Sequence, residues 1–155
     1  MERYEPSSDF LLMVIDKEIS FEGEFGARNL KRLIALTRDS DSSNRDWATL
    51  LLAQTELDTP DIRAVFLERA RDQHDGTRAE AILALAERRA PEALALVEAA
   101  LNAESVGTIA VEAAGYVGDP ALLPALHELR DWWDIHKDLL ERTITACEKG
   151  KPFGT

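Results

Sequence analysis

Internal repetition constrains this chain more than any other feature, because a segment that recurs at a fixed period folds as one unit stacked on copies of itself. Three segments read alike: Asn44 to Ala53, Thr77 to Ala86 and Val106 to Gly115. Small or apolar residues fall at matching places, as Ala48, Ala81 and Ala110, then Leu51, Ala84 and Ala113, then Ala53, Ala86 and Gly115. Each segment is followed by a short turn and a proline, and Pro60, Pro91 and Pro120 fall 31 and 29 residues apart. That period fits one helical hairpin. The turns agree: Thr59-Pro60-Asp61 and Asp119-Pro120 put a capping side chain before a proline at the first helical position, where a missing N–H costs nothing. Ala90-Pro91-Glu92 repeats the pattern with a weaker cap and an acid that suits the helix dipole.

Apolar spacing then predicts paired helices at about 44–55 and 60–71, 77–89 and 91–101, and 105–117 and 120–130, with a closing helix at about 134–148. Ser43-Asn44-Arg45-Asp46 is the expected start of the first repeated helix, with Asp46 near N3. Leu94, Val97 and Leu101 share one face, as do Leu122, Leu126 and Leu129, and as do Ile135, Leu139 and Ile144 at the end. Pro124 removes a backbone bond early in its helix and is expected to bend it. Upstream, the apolar run from Phe10 to Ile15 suits a buried helix or a strand, with helix favoured after a capping signal near Ser8. Leu30, Leu33 and Ile34 share a face of a further helix. The organisation expected for residues 1–155 is one all-α domain: an N-terminal helical cap over 1–42, repeats over 43–131, and a capping helix with a tail over 132–155.

The segments Thr77 to Ala86, Ala90-Pro91-Glu92-Ala93-Leu94 and Ala113 to Leu126, with their Gly118-Asp119-Pro120 turn and Pro124-Ala125-Leu126 run, resemble HEAT-type repeats. They are similar in particular to the short bacterial branch of phycobilisome-lyase-like HEAT repeats. The resemblance implies an α-solenoid of about three helical hairpins with capping helices at both ends. It also implies a protein-binding scaffold, since most members are scaffolds and a few are enzymes. Such a fold by itself does not specify one activity.

The enzyme branches of the resemblance find little here. An iron-dependent hydroxylase of this architecture uses repeated His-Glu pairs as ligands, whereas His127-Glu128 is the only such pair and Glu98-Ala99 offers no second. His74 and His136 lie outside the matching position. A DNA-glycosylase-like role needs a basic face, but 29 Asp and Glu against 18 Lys and Arg give the chain a net charge of −11. Residues 41–101 hold 12 acids and 7 bases, and residues 102–155 hold 9 and 5. Arg28, Lys31, Arg32 and Arg38 form the densest basic cluster and read as the wet face of a helix. The acidic surface as a whole repels phosphate backbones and anionic lipid and attracts basic partners. No pigment motif, glycine-rich phosphate loop, catalytic residue, cofactor or metal site is expected. Cys147, the single cysteine, reads as a small, partly buried spacer that forms no internal disulfide and suits a reducing cytoplasm. The opening Met1-Glu2-Arg3-Tyr4-Glu5 is not the positive start of a signal peptide, and the longest apolar run is too short to span a bilayer.

The most informative segment is Asp131-Trp132-Trp133-Asp134-Ile135-His136, between the third repeat and the closing helix. Adjacent tryptophans on a helix point in different directions, so either one packs inward and its neighbour stands at the surface, or both cap the core. An exposed tryptophan between acids has the composition of a hot spot for an Arg- or Lys-bearing partner. Trp47 faces a similar choice, with core packing favoured. Glu68, Glu98 and Glu128 recur every 30 residues on second helices and are read as an acidic ladder. The expectation is a non-enzymatic, monomeric, cytoplasmic module that binds a basic protein or peptide in an acidic groove, with Trp132, Trp133, Asp131, Asp134, Glu68, Glu98 and Glu128 as contacts. It binds neither nucleic acid nor membrane. The alternatives are an immunity or antitoxin protein that caps a basic toxin domain, and third a lyase-like or metal-dependent enzyme.

Overall fold

A computed structural model describes residues 4–155. Among them are nine α-helices, one short 3-10 turn and no strand. The expected all-α class holds. The chain groups into two compact units, residues 1–81 and 82–155.

In the first unit lie α1 (Asp9–Ile15), α2 (Gly23–Leu36), α3 (Ser42–Gln54), α4 (Pro60–Arg69) and the start of α5 (Asp75–Glu87). The apolar run that suits a helix or a strand is α1, and the Ser8 hydroxyl accepts from the Leu11 N–H at its start. Both α1 and α2 pack on α3. Phe10, Leu11, Leu33, Leu52, Ile62 and Phe66 fill the core at 3% exposure or less. Leu33 is buried while Leu30 and Ile34 flank it half-buried, as expected of one amphipathic face. Thr59 caps α4 as predicted, accepting from the Ile62 N–H, with Pro60 in the first turn.

The start of α3 differs from the prediction. Its cap is Asp41, which accepts from the Ser43 N–H, so the helix begins at Ser42. Asn44 is then free for another task. Buried inside the first turn, its carbonyl accepts from the Ser8 N–H at 3.0 Å, and its amide donates to the Ser7 hydroxyl and to Asp39. One side chain thereby ties the start of α1 to the start of α3.

A second buried group closes the turn after α4. Asp72 accepts from Arg45 Nε at 3.0 Å and from Arg69 at 3.0 Å, and its other oxygen accepts from the His74 N–H at 2.9 Å. Its side chain is 3% exposed. Burial alone would raise the Asp72 pKa, but the hydrogen bonds from Arg45 and the His74 backbone, with the nearby positive charges, hold it below the usual carboxylate range.

The second unit holds the rest of α5, then α6 (Ala93–Leu101), α7 (Thr108–Val117), the 3-10 turn Pro120–Leu122, α8 (Leu123–Leu129) and α9 (Lys137–Lys149). Within it α7 packs on α6 and α9, and α8 packs on α9. Val97, Leu101, Leu122, Leu126, Leu129, Leu140 and Ile144 are buried, whereas Leu94 lies half out. Ala84, Ala86, Ala93, Ala113 and Ala114 are all at most 1% exposed, so helices approach closely through small side chains. Gly118 ends α7 with φ of 58°, a left-handed conformation that glycine adopts without steric cost.

Two boundaries correct the prediction. Ala90 has no side chain to cap, so Ala90-Pro91-Glu92 forms a turn and α6 starts only at Ala93. Pro124 does not bend a running helix: a 3-10 turn precedes it and α8 begins at Leu123, which places the missing N–H in a first turn that has no intrahelical acceptor.

The Asp72 cluster makes a direct prediction. Asp72→Ala leaves part-buried Arg45 without its anion and Arg69 with Glu68 alone, and should cost about 2–3 kcal/mol at about pH 7. Because the native pKa is lowered, the contribution of Asp72 is present above the unfolded carboxylate pKa and is lost as pH falls through the native one. The stability gap between wild type and variant, measured by urea unfolding, should therefore shrink on acidification.

Candidate functional site

The segment between α8 and α9 divides its two tryptophans between core and solvent. The chain leaves α8 through tightening turns in which the Trp132 and Trp133 N–H groups both return to the Leu129 carbonyl. Trp133 is 1% exposed, and its Nε1–H donates to the Val106 carbonyl at 2.7 Å. That bond satisfies both a buried indole and a buried-turn carbonyl ahead of α7. Trp132, one residue earlier, is 55% exposed. Its neighbours Asp131 and Asp134 are exposed as well.

Trp133 is therefore withdrawn from the predicted contacts: it is a core residue with its polar atom already used. Ile135 also departs from its expected place. It is not on the buried face of the closing helix but precedes α9 and is 65% exposed, because α9 starts at Lys137 and not at 134. The helix starts late because His136 is its cap, its Nδ1 accepting from the Leu139 N–H at 3.1 Å. His74 does the same just ahead of α5, where its Nδ1 accepts from the Thr77 N–H at 3.1 Å. Both histidines stand three residues before the N–H they accept, the spacing a serine or aspartate cap would show.

The acidic ladder is uneven. Glu68 is engaged by Arg38 at 3.1 Å and Arg69 at 2.9 Å, so much of its charge is answered within the chain. Glu98 on α6 and Glu128 on α8 are exposed, and these two helices pack together. In the second unit the exposed acids Glu98, Glu128, Asp131 and Asp134 thus accompany one exposed indole.

Trp47 is half-buried on α3 and stacks against Tyr4 with centroids 6.1 Å apart. Its Nε1 is buried without a hydrogen-bond partner among the described residues. The Tyr4 hydroxyl donates to Asp46 at 3.0 Å, and burial together with that carboxylate pushes its pKa up to about 12. Cys147 is wholly rather than partly buried, lying beside the Ala114 carbonyl, and burial pushes its thiol up to about 11. A thiol so protonated is a poor nucleophile. Among the described residues no three His, Cys, Asp or Glu side chains gather to hold a metal ion, and no helix is long and apolar enough to cross a membrane.

Comparison with known proteins agrees with this architecture. The family model described as HEAT repeats matches residues 30–109. Protein YibA of Escherichia coli K12 is 35% identical over 94 residues, which is 61% of this chain and 34% of the relative, and YibA of the O157:H7 strain matches to the same extent. The chain therefore spans about a third of the length of these curated relatives. The crystal structure of Escherichia coli YibA superposes with a TM-score of 0.70 at 26% identity, over 89% of this chain and 55% of that one.

The tryptophan pair separates cleanly on substitution. Trp133→Ala should cost about 3–5 kcal/mol through a cavity and an orphaned carbonyl. Trp132→Ala should stay within about 0.5 kcal/mol of wild type. Thermal or chemical unfolding of the two variants measures the difference.

Proposed function

The chain belongs to the HEAT-repeat family, and on that premise we propose that it is a non-enzymatic binding module for a basic protein or peptide. The observation that carries the reading is the exposed Trp132 set between Asp131 and Asp134 while its neighbour Trp133 is buried. An indole at the surface offers a large, rigid contact area at little entropic cost, and its face attracts a guanidinium or ammonium. Glu98 and Glu128, exposed on two helices of the same unit that pack together, add negative charge to it. The net charge of −11 would steer a cationic partner during its approach.

In this mechanism Trp132 anchors and the acids orient. A Lys or Arg side chain stacks over the indole, and its charge pairs with Asp131 or Asp134. Nothing in the reading calls on a cofactor, a metal or a catalytic group. A cytoplasmic, monomeric protein is part of the same proposal. An immunity or antitoxin role is a special case of it, in which the basic partner is a toxin domain and the complex silences its activity.

Tagged protein should retain a stoichiometric basic partner from its native host at low ionic strength and lose it at high. Trp132→Ala should weaken that complex by about thirtyfold, as for a central aromatic anchor worth roughly 2 kcal/mol. The partner's own activity then separates adaptor from immunity protein. Folded protein that retains no basic partner, or binding that ignores both salt and Trp132, would contradict the reading.

A further inference from the structure

The second unit carries another surface of opposite character. After α9 ends at Gly150 the chain turns back, and its last residues lie along α7. The Phe153 N–H donates to the Gly115 carbonyl at 2.9 Å, and the ring meets Tyr116 edge-on with centroids 5.6 Å apart. Gly115 is needed beneath it, because a Cβ there would collide with the Phe153 ring. Arg89 clips the tail in place, donating to the Phe153 carbonyl at 2.6 Å and to the Tyr116 carbonyl. The tail is thus a built part of the fold.

Between this tail and the outer face of α9 runs an open, mainly apolar groove of about 500 Å³. Ala146 and Phe153 line it, with Thr145 and the side chains of Arg142, Lys149 and Lys151. Glu141 lines it too, but both its oxygens are taken by Arg130, at 2.9 and 2.8 Å, and Arg142 is held by Asp138 at 2.9 Å. Lys149 and Lys151 have no ion-pair partner among the described residues. In a chain with 29 acids, the groove is rimmed by two unanswered cations.

We propose that this groove docks a short acidic amphipathic segment of a partner protein, seating an apolar side chain against Ala146 and Phe153 and pairing its carboxylates with Lys149 and Lys151. Charge complementarity selects the occupant, since the two lysines that rim the groove pair with carboxylates and would repel a basic chain. Openness selects a peptide over a small molecule, because a small ligand needs most of its surface enclosed whereas a peptide spreads its contacts along a groove. The site is distinct from the Trp132 surface in charge and in the class of partner it takes.

The test is selection of random displayed peptides against the full chain, followed by binding of the winning peptides to Lys149→Gln/Lys151→Gln and to Trp132→Ala. Circular dichroism verifies that both variants are folded. The proposal expects a class of peptides with Asp or Glu around an aromatic or aliphatic residue, weakened about fivefold to tenfold by the lysine replacements and unaffected by Trp132→Ala. Recovery of only basic or neutral peptides, or acidic peptides that bind the lysine variant as tightly as wild type, would overturn it.

Discussion

A helical hairpin of this chain has an apolar face that it cannot cover alone, and the need to bury that face against a neighbour governs the rest of the structure. In the second unit the solution is close approach through small residues. Ala113 and Ala114 on α7 have no accessible surface, and α7 packs on both α6 and α9. A few large apolar side chains nevertheless stay outside, Phe25, Trp132 and Ile135 most of all, and Trp132 is the one set between two acids.

Polar groups hold the connections that the small-residue contacts cannot. Asn44 ties the beginnings of α1 and α3, Asp72 collects Arg45, Arg69 and the His74 backbone, and Arg89 gathers the carbonyls of Tyr116 and Phe153. Asn44 and Asp72 do so by satisfying groups that burial would otherwise leave costly, whereas Arg89 works at the surface. Asp72 and Arg89 serve turns that follow helices, and Asn44 serves the start of two. The proposed binding surface lies at a turn that instead sends an aromatic side chain, Trp132, into solvent.

Much of the fold was legible because its determinants are local. The proline turns, the alanine stripes and the Thr59 and Asp119 caps all act within a few residues, and they placed the repeated hairpins correctly to within a turn at most boundaries. The misplaced starts have local causes as well: Ala90 offers no cap to α6, while a histidine, rarely read as a cap, sets the start of α5 and of α9. The candidate site was half legible. Composition singled out the segment from Asp131 to His136, but which indole points inward depends on how the chain unwinds after Leu129 and on the Val106 carbonyl 27 residues away. Glu68 gave a regular spacing with no sign of its pairing to Arg38, 30 residues upstream. The docked tail left no signal, since its contacts with Gly115 and Arg89 are long-range and its composition is that of an ordinary terminus.

Two adjacent tryptophans with opposite roles are the centre of this account: one completes a core, and that leaves its neighbour presented between two aspartates. Acrylamide quenching of tryptophan fluorescence in wild type and in Trp132→Phe tests this most directly. The Phe variant should lose most of the readily quenched emission and keep a blue-shifted, protected remainder from Trp133 and half-buried Trp47. If the variant is quenched as readily as wild type, Trp132 is not the exposed indole, and the binding surface assigned to it does not exist.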